Sequence, residues 1–116
     1  MTQAESLYRF CSGFGIPAYE ESAVPENAQM PYITYQLQFS NFKESVLTTM
    51  NLWYKKTDLV GISNKAEEIR RSLKNGGVIK HGLWILAGQP FAYTMSDTDD
   101  SIRRVVINLQ IENIQE

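Results

Sequence analysis

The chain has 116 residues, 43% of them hydrophobic and 21% charged, which is ordinary material for one globular domain with its own core. A net charge of −2 and a pI near 5.4 argue against a grip on nucleic acid that works by neutralising phosphates, which needs clustered Lys and Arg. Cys11 is the only cysteine, so no intrachain disulfide can form, and no apolar run approaches the roughly 18 residues of a membrane span. The N-terminus MTQAESLYRF lacks the basic and apolar regions of a secretion signal, so the chain is expected to work in a cytoplasm or in something assembled there.

From Thr2 to about Ser12 the pattern predicts a helix. Thr2 is a candidate cap, Glu5 follows three residues later as in a capping box, and Leu7, Phe10, Cys11 and Phe14 recur at helical spacing before Gly13 and Gly15 stop the run. Cys11 lies on that apolar stripe, where it reads as a small buried hydrophobe; no basic cluster adjoins it to lower its pKa. The stretch IPAYEESAVPENAQMP, with three prolines, three glutamates and no period, reads as a long irregular surface connection pinned by Ile16, Tyr19, Val24 and Met30.

Two strand-forming runs, PYITYQLQFS and SVLTTMNLWY, then flank the polar break NFKE and predict a hairpin over Pro31 to Tyr54. In the first, Ile33, Tyr35, Leu37 and Phe39 share one face and Tyr32, Thr34, Gln36 and Gln38 the other. In the second, Leu47, Thr49, Asn51 and Trp53 alternate with Val46, Thr48, Met50, Leu52 and Tyr54. Neither of these faces is polar, so either could be the core face, and the strand is expected to be covered on both sides, by its own domain or by a neighbouring subunit.

A second helix follows, capped at Asp58 or Ser63. Gly61 weakens its first turn, and Leu59, Ile62, Ala66, Ile69 and Leu73 form a core-facing stripe. Glu67 and Arg71 are spaced to pair on a solvated face, and Gly76 and Gly77 end the element. VIKHG and LWILAG read as strands joined by a tight turn at His81 and Gly82; in the following QPFAYTMS, Pro90 should interrupt regular pairing or sit on an edge. After SDTDDS, IRRVVINLQIENI alternates cleanly as a half-buried strand. The expected fold is a single α+β domain over 1–116, a mainly antiparallel sheet of about four to five strands packed with two helices in the order α-β-β-α-β-β-β.

Chemistry-bearing patterns are few. With one histidine, His81, and one thiol, a structural His/Cys zinc site is excluded within one chain, and no serine sits in a Gly-x-Ser-x-Gly turn. His81 reads as a turn residue. GGVIKHG lacks the Gly-Lys-Ser/Thr ending of a phosphate loop, and Asp97, Asp99 and Asp100 lack the glycine and closing glutamate of a calcium loop. Lys55 and Lys56 beside Trp53 and Tyr54 form a weak aromatic-basic patch. No catalytic residue, cofactor or metal is expected, and the chain is not read as an enzyme.

In layout the chain resembles the tail terminator and tail completion proteins of the head-tail junction of long-tailed bacteriophages. The resemblance rests on the opening helix, IPAYEESAVPENAQMPYITYQL, the strand VLTTMNLWYKK, the helix NKAEEIRRSL and the closing VVINLQIENI, and it covers nearly all of the sequence without a diagnostic motif. It implies a virion protein of the tail and neck, assembled in a bacterial cytoplasm. Such a protein forms a ring, usually hexameric, that caps the tail tube, stops polymerisation and joins tail to head. Its implied partners are copies of itself, the tail tube protein and a head-tail connector protein, with DNA only as passing cargo. Candidate interface residues are Phe39, Phe42, Trp53, Tyr54 and Phe91; candidate acidic groups of the lumen or ring faces are Glu20, Glu21, Glu26, Asp97, Asp99 and Asp100. The rival readings are another connector or stopper of the neck and a small nucleic-acid or regulatory binding module.

Overall fold

Two long strands, β3 (Val46–Lys55) and β6 (Ile102–Asn113), form the centre of the computed structural model, which describes residues 2–37, 46–95 and 98–114. They pair antiparallel over ten positions, from Val46 opposite Ile111 to Lys55 opposite Ile102. Around them a six-stranded sheet runs in the order β1-β2-β3-β6-β5-β4, with β1 at Ala18–Glu20, β2 at Tyr32–Tyr35, β4 at Val78–Lys80 and β5 at Leu83–Met95. The helices are α1 (Gln3–Cys11), continued by a 3-10 turn over Ser12–Phe14, and α2 (Leu59–Ser72).

The fold is α+β as expected, with more strands than the sequence suggests. The segment read as an irregular connection contributes β1, which lies parallel to β2 with Ala18 opposite Ile33. Three residues between prolines carry no legible alternation, and their pairing depends on a neighbour fifteen positions away. Pro90 sits inside β5, where the register against β6 slips between Ala87 and Ala92; a residue without an N–H cannot continue the ladder there. Gly88 beside it meets the backbone of Asn108 so closely that a Cβ would lie 2.7 Å from the Asn108 Cβ.

Helix α1 begins as its sequence indicates, with the Glu5 N–H donating to Thr2 Oγ1 at 3.1 Å. Its stripe of Leu7, Phe10 and Cys11 is buried, with Phe14 edge-on to Phe10 at 5.3 Å between ring centres. Ser6 pins the helix to the sheet by donating its hydroxyl to the His81 carbonyl at 2.5 Å. Helix α2 starts at Leu59 and is capped by Asp58, whose Oδ1 accepts from the Gly61 N–H at 2.9 Å. Ile62, Ile69 and Leu73 enter the core. Leu59 does not: it is 54% exposed, because the stripe begins one turn later than its spacing implies. Glu67 pairs with Arg71 at 3.4 Å and also with Arg70.

Both helices cover one face of the sheet. Met50 and Leu52 of β3, Ile107, Leu109 and Ile111 of β6, and Leu83 and Ile85 of β5 share a single buried cluster with the helix residues. The even-numbered face of β3 is therefore the core face, which settles an alternation that Thr48, Thr49, Trp53 and Tyr54 leave ambiguous. The alternation of β6 is as read, with Ile107, Leu109 and Ile111 inward and Arg104, Asn108 and Gln110 outward.

Candidate interaction surface

The face of the sheet without helices is where the chain could meet another molecule. Period-two alternation puts Tyr19, Tyr32, Trp53, Arg104 and Met95 on it, one residue from each of five successive strands. Tyr19 meets Tyr32 edge-on at 5.7 Å, and Tyr32 stacks on Trp53 at 6.2 Å between ring centres. The Arg104 guanidinium lies 4.9 Å from the Trp53 ring centre, and its Nη2 touches the Met95 sulfur. Trp53 lies along the sheet, its indole N–H donating to Thr34 Oγ1 at 2.8 Å. Arg104 Nε is buried with no hydrogen-bond partner among the described residues.

This row explains the doubly apolar strand. The aromatic rings and the arginine cover one another, so much of the apolar surface on the outer side of β3 is enclosed by the chain's own side chains. On this face Leu47 is 72% exposed, and Tyr93, Met95, Ile79 and Ile114 are exposed as well, while on the helices Tyr8, Leu59 and Val60 also stand in solvent.

The sequence candidates for a subunit interface separate on this structure. Trp53 is half-buried on the outer face, within the row. Tyr54, at 4% exposure, belongs to the core, so its ring offers no surface to a neighbour; its parity with Met50 and Leu52 places it among the helices. Burial pushes its hydroxyl pKa up, and the Asp58 carboxylate adds to that. Phe91 is half-buried against the core. Phe39 and Phe42 lie outside the described residues, as does Asp97.

The acidic candidates occupy two separate places. Glu20 ends the edge strand β1, where its Oε2 accepts from the Ser22 N–H at 2.9 Å and from the Ser22 hydroxyl. Glu21 and Glu26 are exposed in the loop that follows. Asp99 and Asp100 lie in the turn between β5 and β6 and line a surface cleft of about 190 Å³ together with Lys56, Arg103 and Arg104, so this acidic turn has cations beside it. Asp99 Oδ1 accepts from the Ser101 hydroxyl at 2.6 Å and from the Ser101 N–H at 2.8 Å, and those two bonds hold its carboxyl below the ordinary aspartate value.

Lys55 and Lys56 are exposed, yet the aromatic neighbours that made them a candidate patch point to opposite faces of β3, Trp53 outward and Tyr54 inward. His81 is a turn residue, with φ 55 and followed by Gly82 at φ 80, the backbone of a tight two-residue hairpin. No group of three His, Cys, Asp or Glu side chains among the described residues could hold a metal ion. Among the described residues no helix is long and apolar enough to cross a membrane.

Sequence reasoning missed Tyr19, Arg104 and Ile79 as surface features. The signal was present for Arg104, whose place in the β6 alternation sets it outward, but its packing on Trp53 depends on the register between β3 and β6. The molecule is thus an α+β domain with one helix-covered face, one aromatic-striped face and two short sheet edges. No model of a known protein family matches the sequence, and comparison with curated proteins finds no match.

Proposed function

We propose that the chain is a non-enzymatic structural subunit that assembles with copies of itself into a ring at the head-tail junction of a long-tailed bacteriophage, capping the tail tube and ending its polymerisation. The observation that carries this reading is the one-sided sheet. Helices cover a single face, and large apolar residues of the other face and its margins, Leu47, Ile79, Tyr93, Met95 and Ile114, stand in solvent. Subunit contact is the ordinary way of covering exposed apolar residues on a sheet face that no helix covers. The acid surplus, with Glu21 and Glu26 exposed in one loop and a net charge of −2 overall, suits a passage through which DNA slides without phosphate contacts. The layout resemblance supplies the specific place in the virion.

Light scattering coupled to gel filtration tests the assembly, and addition of the chain to polymerising tail tubes tests the role. The expected outcome is a closed multimer, either free or on tube ends, with tubes that stop growing. A strict monomer at high concentration that also leaves tubes unaltered would sink the proposal.

A further inference from the structure

The two edges of the sheet differ in chemistry. Edge β4 carries Val78, Ile79 and Lys80. Ile79 is 65% exposed on the outer face. Lys80, on the helix side, makes no ion pair or hydrogen bond among the described residues and borders a cleft of about 280 Å³ shared with Arg9, Phe10, Phe14 and Val78. Edge β1 carries Ala18, Tyr19 and Glu20, with Tyr19 on the outer face and Glu20 on the helix side, and Glu21 follows.

The backbone agrees. A two-residue loop closes the β4–β5 hairpin with Lys80 opposite Leu83, so alternation of the antiparallel ladder turns the N–H and C=O of Ile79 away from β5, toward the open side. In β1, the Pro17 carbonyl accepts from the Ile33 N–H and the Glu21 N–H donates to the Tyr35 carbonyl. Those bonds face β2, so the Glu20 N–H, one residue out of phase, points away from it.

We infer that β4 of one copy pairs parallel with β1 of the next, Ile79 beside Tyr19 on the outer face and Lys80 beside Glu20 on the helix side. The Glu20 N–H donates to the Ile79 carbonyl. This rests on the reading that the chain assembles with itself. Both strands run in the same direction in the sheet order, so the contact is head-to-tail, the type that closes into rings.

The stagger suits closure. Through the registers, Tyr19 is level with Val106 of β6 and Ile79 with Glu112, about one residue of offset per strand across the sheet. In closed sheets that ratio corresponds to a strand tilt of about 36°. Charged residues on short edge strands also serve as ordinary guards against pairing. A guard is not paired with an exposed isoleucine, and it predicts that reversing its charge leaves association unchanged.

The test uses the full chain, in which the buried Cys11 does not interfere. With Glu20→Cys and Lys80→Cys together, mild oxidation of a concentrated solution should give a covalent ladder of multimers on a denaturing gel, whereas Glu20→Cys with Lys56→Cys should give none. Separately, Lys80→Glu or Glu20→Lys alone should weaken association about tenfold by sedimentation, and the two together should restore it, with the far-ultraviolet dichroism of the dilute chain unchanged. A 20/80 pair that cross-links no faster than the control, or a charge reversal without effect, would overturn the pairing. If the unaltered chain nevertheless forms multimers, the ring reading stands and only the choice of edges fails. An unaltered chain that stays monomeric, does not cross-link and ignores tail tubes sinks both.

Discussion

At the scale of single residues, the structure separates groups that look alike in sequence. Cys11 is fully buried in the core, and desolvation pushes its thiol pKa well above the ordinary value. A thiol reagent should therefore leave the native chain unmodified and react only at the rate of unfolding, measured by absorbance in a urea series. Trp53 is the opposite case, a large side chain whose contacts are all on the outer face. Trp53→Ala should cost about 2 kcal/mol in urea unfolding followed by far-ultraviolet dichroism, because stacking on Tyr32, the Arg104 contact and the bond to buried Thr34 are lost together. Trp53→Phe keeps the stacking and should cost about 1 kcal/mol for the unpaired Thr34 hydroxyl. Asp99 bears on pH. Its folded carboxyl titrates below the ordinary 3.8 because Ser101 donates to it twice. The turn is thus stabilised above the ordinary aspartate value, and the stabilisation is lost as pH falls through the lowered one. Carboxyl titration by NMR should show Asp99 returning upward in Ser101→Ala.

Elements show how a local rule is set aside for a tertiary one. Gly61 stands in the first turn of α2, where alanine is the better helix former. A Cβ there would come within 2.6 Å of the Asp58 Cγ, in the carboxylate that caps the helix. Gly61→Ala should destabilise the chain while Asp58 is present and stabilise it by about 0.5–1 kcal/mol in an Asp58→Ala background, with Asp58→Ala itself costing about 1 kcal/mol. The non-additivity in a thermal double-mutant cycle is the measurement. This cap is legible in sequence, as is the cap of α1, because capping chemistry is local. Leu59 is the counterexample: its spacing fits the stripe, but the first turn stays in solvent and burial starts at Ile62. β1 was illegible for a related reason, since a parallel pairing of three residues is decided by β2 rather than by its own pattern. The core face of β3 was undecidable because threonines occupy adjacent positions and aromatics close both registers. Its partner β6 resolves it through Ile107 and Leu109. The same register separates the candidate interface residues, Trp53 outward and Tyr54 inward.

The whole molecule is a strong centre with weak margins. β3 and β6 pair with each other over ten positions and each has a second neighbour, whereas β1 and β4 have three residues and one neighbour each. Hydrogen exchange of the monomer should therefore find its slowest amides at Met50, Leu52, Ile107 and Leu109, which open only with global unfolding. The edges open locally, and a difference of about 2.7 kcal/mol between the two modes would make them exchange about a hundredfold faster. Within the edges the order is itself diagnostic of the ladder. Val78, Lys80 and Glu21 donate into the sheet, whereas the Ile79 and Glu20 amides face out, so these two should exchange at nearly the rate of an unfolded chain. Uniform protection along β4 would mean that its outward face is already covered by the chain itself, leaving no edge for a neighbour to use.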